Sequence, residues 1–259
     1  METVTAAFIL TTFAGLSTGI GSLIAFFIPK PKMTYLSILL GFAAGAMLYI
    51  SFVELLSTSI ENVGFLVANT AFFLGMVVIY LLDRAIQHVH LDTLPDSHVQ
   101  LDTLPDSRQT ELQKAGIFTA IGIAMHNFPE GMAVLVTSLS SPYLGMSVAV
   151  AIAIHNIPEG IAVSVPIYYA TEDRKKAFAY SFLSGLSEPV GAAFGYLLIF
   201  QFLTATLLGI ILAFVSGIMV FICFDELLPI AIKYGDEHLM LSGLLSGMAV
   251  MALSLHLLG

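Results

Sequence analysis

The chain has 259 residues, 58% of them hydrophobic and 10% charged, with a mean hydropathy of +0.93; that supply of charge cannot cover a soluble domain, and the composition reads as a multi-span membrane protein. Nine lysines and arginines stand against 18 aspartates and glutamates, a formal charge of −9, which argues against nucleic acid as a partner because phosphate binding needs a basic face. The single cysteine, Cys223, excludes a disulfide framework and any multi-cysteine metal site.

A hydrocarbon core of ~30 Å takes about 20 mostly apolar residues per helix, and the chain predicts eight such helices, at roughly 4–28, 34–57, 63–83, 115–139, 142–170, 177–200, 203–229 and 239–258. The expected fold class is all-α and membrane-integral, one transmembrane domain over residues 1–259. The apolar runs are too long and continuous for barrel strands. The opening METVTAAFIL lacks a basic n-region, so it reads as the start of the first span rather than a signal peptide.

Basic residues orient the spans. Lys30 and Lys32 follow the first, Arg84, Arg108 and Lys114 the third, Arg174, Lys175 and Lys176 the fifth, and Lys233 the seventh. All nine fall on one side of the predicted bilayer, which the positive-inside rule makes cytoplasmic, so both termini face outward. Between the third and fourth spans, residues 85–113 read as a flexible cytoplasmic loop carrying LDTLPDS twice, at 91–97 and 101–107. Its histidines, His88, His90 and His98, stand beside four aspartates; the plain reading is a duplicated linker, the sharper one a weak metal trap.

A second repeat spans the membrane. GFAAGAMLYISFVELLS at 41–57 aligns without gaps on AFVSGIMVFICFDELLP at 213–229, and AMHNFPEGMAV at 124–134 recurs as AIHNIPEGIAV at 153–163. Each pair joins an even span to an odd one, so its members run in opposite directions. This is the sequence trace of an inverted repeat, common in secondary transporters with midplane substrate sites. Four-residue glycine pairs (Gly15/Gly19, Gly41/Gly45, Gly191/Gly195, Gly243/Gly247) allow close helix contact and are ordinary in membrane helices.

Six acids fall inside the predicted spans: Glu54, Glu130, Glu159, Glu188, Asp225 and Glu226. His126 and His155 join them, and no lysine or arginine lies at those depths. A charge at a helix centre costs on the order of 2.5–3.5 kcal/mol, which a bound cation would offset. At ~1.5 Å per residue, His126, His155 and Glu188 lie ~16–20 Å deep, near the midplane. Glu54 falls toward the outer face, Asp225 and Glu226 toward the cytoplasm. The acids thus mark an outer mouth, a centre and an inner mouth, although Glu54, Asp225 and Glu226 also fit solvated helix ends.

Helical spacing explains the hexapeptide. His126 and Glu130 are i and i+4 on one face, and Asn127 lies on the adjoining edge; His155, Asn156 and Glu159 repeat the pattern. Pro129 and Pro158 free the carbonyls of Met125 and Ile154, and Pro189 after Glu188 acts likewise. Imidazole, carboxylate and amide donors suit Zn2+, Fe2+, Mn2+ or Co2+ better than Cu(I), which prefers sulfur, or an all-oxygen Ca2+ cage. A glutamate between His and Asn is placed to bridge two ions. Asn127 and Asn156 also fit a role joining helices, and the lone His256 reads as a hydrogen-bond donor between helices.

HNFPEG and HNIPEG on consecutive spans, SGLSEP on the next, ISFVELL and FDELLP resemble the ZIP (Zrt/Irt-like) divalent metal transporters, in their GufA-like branch, over essentially the whole chain. The resemblance implies a binuclear centre. One ion would be held by His126, Glu130, His155 and Glu159, the other by Asn127, Glu130, Asn156, Glu159 and Glu188, the first two glutamates of each set being shared. It also implies uptake into the cytoplasm across the cell inner membrane, a homodimer, and an elevator-like movement of the helices around spans 4 and 5. Asn156 and Glu159 replace the HExPHE pattern of the eukaryotic branch, which favours a broad range including Cd2+.

Two other classes compete. A membrane zinc hydrolase needs an asymmetric site with an open water position; twin hexapeptides and the absence of HExxH count against it. A proton-conducting carboxylate relay would not need the histidine–glutamate pairs. No Gly-rich nucleotide loop is present, so a nucleotide is not expected as a partner.

Overall fold

The structure, a computed structural model, describes residues 2–27, 33–85, 106–202, 204–234 and 237–258. These form α1 (Glu2–Phe27), α2 (Met33–Ile50), α3 (Leu56–Val63), α4 (Phe65–Ala85), α5 (Asp106–Ser140), α6 (Pro142–Thr171), α7 (Arg174–Gly185), α8 (Ser187–Ile199), α9 (Ala205–Ile222), α10 (Leu228–Tyr234) and α11 (Glu237–Leu258). There is no strand among the described residues.

Six stretches are long and apolar enough to cross a membrane: Thr3–Leu23, Ser37–Val63, Phe65–Arg84, Pro142–Tyr168, Ala205–Lys233 and Glu237–Leu257. The segments expected at 115–139 and 177–200 form α5 and the α7–α8 pair, which do not meet that measure. α7 and α8, with 12 and 13 residues, are separated at Leu186. Pro189 has no N–H to return to the Gly185 carbonyl, and Ser184 and Ser187 donate their hydroxyls three residues back, to Ser181 at 2.7 Å and Ser184 at 2.6 Å. α5 starts at Asp106, inside the stretch expected as loop; His88, His90 and His98 lie outside the described residues.

The repeat at 41–57 and 213–229 is visible in the backbone. Both copies contain a five-residue π turn at matched positions, Ser51–Leu55 and Cys223–Leu227. In each the following N–H reaches back five residues, Leu56 to the Ser51 carbonyl and Leu228 to the Cys223 carbonyl. The extra residue is absorbed within the helix. The segments expected to end at 57 and 229 run on to Val63 and Tyr234.

Helices α1, α5, α6, α7 and α8 pack into one group; α2 packs on α11, and α4 on α9. α6 joins the groups through α2 and α11, and 83% of its spanning window is buried, against 22% for α11. Gly41 and Gly45 lie on the carbonyls of Met240 and Leu244, while Gly243 and Gly247 lie on those of Ile38 and Phe42. A Cβ at any of these would meet backbone. Gly19 and Gly195 face side chains instead.

Large apolar side chains such as Phe65, Leu66, Phe73 and Leu197 cover the outside, whereas Asn127, Glu130, His155, Asn156, Glu159 and Glu188 are fully buried. Apolar outside and polar inside is the arrangement a bilayer selects. The chain is a multi-pass membrane protein.

Candidate metal centre

Both hexapeptides sit inside helices, with Pro129 in α5 and Pro158 in α6. Close helix contact follows from the glycine that ends each one. Gly131 lies on the backbone carbonyl of Glu188, and Gly160 on that of Thr18; a Cβ at either would overlap that carbonyl. α5 is thereby seated against α8, and α6 against α1. Ser181 Oγ, 3.2 Å from the carbonyl oxygens of both Thr18 and Gly160, ties α7 to the second contact.

The two hexapeptides meet crosswise. His155 Nε2 of α6 is 3.4 Å from Glu130 Oε2 of α5, both side chains being fully buried. Asn156 Nδ2 donates to the Ala14 carbonyl at 3.0 Å and to Glu188 Oε1, linking α6 to α1 and α8. Asn127 Nδ2 is 3.4 Å from the Ser184 carbonyl of α7. Glu188 is also close enough to Glu130 and to Glu159 for their charges to act on it.

Their remaining oxygens carry the electrostatic argument. Asn127 Oδ1, Glu130 Oε1, Asn156 Oδ1 and Glu188 Oε2 are buried with no hydrogen-bond partner among the described residues. Each such acceptor costs about 1–3 kcal/mol if left unsatisfied, and more when charged. All four are acceptors; no buried lysine or arginine is present among the described residues to answer them. Hard and borderline cations bind oxygen donors of this kind, and His155 adds an imidazole.

The predicted residues are brought together unequally. Glu130, His155, Asn156 and Glu188 are joined by the contacts above, and Asn127 and Glu159 are buried beside them on the same helices. The backbone of His126 lies in α5, but its side chain is outside the described residues. Among the described residues, no three His, Cys, Asp or Glu side chains converge as a closed ligand set. Glu54 is half-buried and Asp225 exposed, each within a π turn. Glu226 is half-buried with its carboxylate against Gly122, one turn before His126 on α5. His256 is exposed rather than held between helices.

Two groups escaped the reading of the sequence. The carbonyl of Ala14 on α1 fixes the Asn156 amide, and backbone atoms leave no composition signal. Cys223, fully buried at the head of a π turn with its Sγ 3.7 Å from the Ala44 carbonyl, lies in the field of Glu159 and Glu130. Its alignment partner in the repeat is Ser51, also fully buried.

Comparison with known proteins bears on this geometry. The family described as ZIP Zinc transporter matches residues 83–255. The chain is 50% identical to a Zinc transporter ZupT of Chlorobium luteolum over all of both chains, and 48% identical to one of Oceanobacillus iheyensis, again over all of both. It is 46% identical to another of Clostridium perfringens, over 98% of this chain and 96% of the relative.

Proposed function

This chain belongs to the ZIP family of zinc transporters, and from that premise we propose that it moves Zn2+ into the cytoplasm through a centre shared by its two hexapeptides. The observation that carries the reading is the set of four buried, unpartnered oxygens on Asn127, Glu130, Asn156 and Glu188, with the His155 imidazole beside them. A passing cation answers all of them at once.

In this reading one ion is held by His126, Glu130, His155 and Glu159, the other by Asn127, Glu130, Asn156, Glu159 and Glu188, with Glu130 and Glu159 bridging. Mixed nitrogen and oxygen donors favour a broad range, Zn2+ first, then Fe2+, Mn2+, Co2+ and Cd2+. Glu54 lies on the entry side and Asp225 and Glu226 on the exit side. The contact of Glu226 with Gly122, a turn from His126, supports a hand-off along α5.

The wider proposal is eight spans with outward termini in the cell membrane, in which α5 and the α7–α8 pair cross although each is interrupted by the site's own polar residues. A homodimer belongs to it as well; the exposed apolar face of α4 is available to lipid or to a second copy. The relatives are named as transporters, and no bond-making step is assigned to the centre.

Uptake of 65Zn2+ into proteoliposomes holding the purified chain tests the function. Saturable uptake well above empty vesicles, competed by Fe2+, Mn2+, Co2+ and Cd2+, is expected. Flux equal to that of empty vesicles would reject it.

A further inference from the structure

A third inverted repeat emerges once the helix contacts are known. AGLSTGIG at 14–21 on α1 matches SGLSEPVG at 184–191 across the α7–α8 junction, with Gly15, Leu16, Ser17 and Gly21 recurring as Gly185, Leu186, Ser187 and Gly191. The packing follows the same correspondence. Gly160 lies on the Thr18 carbonyl as Gly131 lies on the Glu188 carbonyl, and Gly21 lies on Ile157 as Gly191 lies on Phe128. Ile157 and Phe128 are the fourth residues of the matched stretches Ile154–Ile157 and Met125–Phe128. Gly15 and Gly185 lie on each other's carbonyls. Thr18 therefore stands to α6 as Glu188 stands to α5.

Thr18 is fully buried, and its hydroxyl has no hydrogen-bond partner among the described residues. Ser22, Ser37, Ser59 and Ser138 share that state, but no other threonine among the described residues does. Thr11, Thr12, Thr70, Thr137 and Thr171 all return their hydroxyls to the carbonyl four residues back, at 2.7–2.8 Å. For Thr18 that carbonyl belongs to Ala14, and it already accepts from Asn156 Nδ2 at 3.0 Å and Ser17 Oγ at 2.6 Å. The hydroxyl is left facing Gly185, the residue whose carbonyl Pro189 releases.

We propose that the Thr18 hydroxyl is the neutral counterpart of Glu188, a weak oxygen ligand for the transported cation on the inner side of the centre. The proposal rests on the metal-transport reading above. With α5 running outward, Gly131 follows Glu130 and places Glu188 on the outer side. With α6 running inward, Gly160 follows Glu159 and places Thr18 on the inner side. A full negative charge holds a cation far more strongly than a hydroxyl in a low-dielectric interior. Within the centre the ion thus meets a carboxylate on its outer side and a neutral oxygen on its inner side, and the single Glu-to-Thr difference between the arms favours release inward.

The test compares Thr18→Val, Thr18→Ser and Thr18→Glu in the full chain. Uptake of 65Zn2+ is measured in proteoliposomes, and zinc affinity by competition with a chelating dye. Thr18→Val is nearly isosteric and should lower the maximal rate about fivefold with little change in the half-saturating external zinc, the size of one lost hydrogen-bond-like contact. Thr18→Ser should restore the rate. Thr18→Glu gives both arms a carboxylate and should tighten zinc binding about tenfold while slowing transport further. A Thr18→Val protein that transports at the wild-type rate, or a Thr18→Glu protein that binds zinc no more tightly, overturns the assignment. Absence of zinc flux and binding in the wild type would instead reject the transport reading itself.

Discussion

The two arms of the centre, α5 on α8 and α6 on α1, share a backbone and differ in chemistry. Each has a proline inside the hexapeptide, a glycine lying on a partner carbonyl, and an asparagine whose amide reaches another helix. The first arm places Glu188 at its glycine and the second places Thr18. The packing keeps the symmetry while the side chains at these two positions do not. In the transport reading proposed above, that difference would let the outer side of the centre hold a cation more tightly than the inner side.

Breaking what the arms have in common should have the largest effect. Glu130→Ala and Glu159→Ala each remove a carboxylate that the proposed centre shares between two ions, and 65Zn2+ uptake should fall roughly 100-fold or more with protein still in the membrane fraction. Breaking what they do not share should cost less. Glu188→Gln keeps the shape and the Asn156 contact but removes the charge, and a roughly 10-fold loss of zinc affinity is expected by dye competition. Uptake as fast and as tight as wild type would erase the distinction between the arms.

The shared packing can be probed without touching a ligand. Gly131→Ala and Gly160→Ala each place a methyl on a backbone carbonyl, and both should destabilise by about 1–3 kcal/mol, seen as a lower Tm in detergent. Similar losses in the two variants would sharpen the comparison; a loss in only one would show that the contacts are not equivalent. The smallest effect is expected from deleting residues 91–107, which lie outside the arms: most uptake should remain, whereas complete loss would show that the segment is more than a linker.

The helical class and the two long repeats were legible, and the residues of the proposed centre stood out because polar groups are conspicuous in an apolar chain. The contact across the helices was not legible. Spacing puts His126, whose side chain lies outside the described residues, on one face with Glu130, and the described contact to Glu130 comes from His155 on the other helix, a consequence of how α5 and α6 cross. The π turns have no composition signature, since the extra residue is accommodated by a carbonyl skipped in the ladder. The break at Leu186 depends on two serine hydroxyls competing with the helix beside a proline. The GLS repeat was in plain view at 15–17 and 185–187, but threonine is ordinary in a membrane helix, and only the packing of Gly160 on Thr18 makes it informative.

Glu130 and Glu159, one from each arm, are proposed to belong to a single centre. Equilibrium dialysis of the purified chain against Zn2+, with bound metal counted per protein, decides whether they do. Glu130→Gln alone should weaken every tightly bound ion, because both are predicted to depend on that carboxylate, and adding Glu159→Gln should remove tight binding altogether. A double variant that retains the zinc of the wild type, ion for ion, would contradict the shared centre.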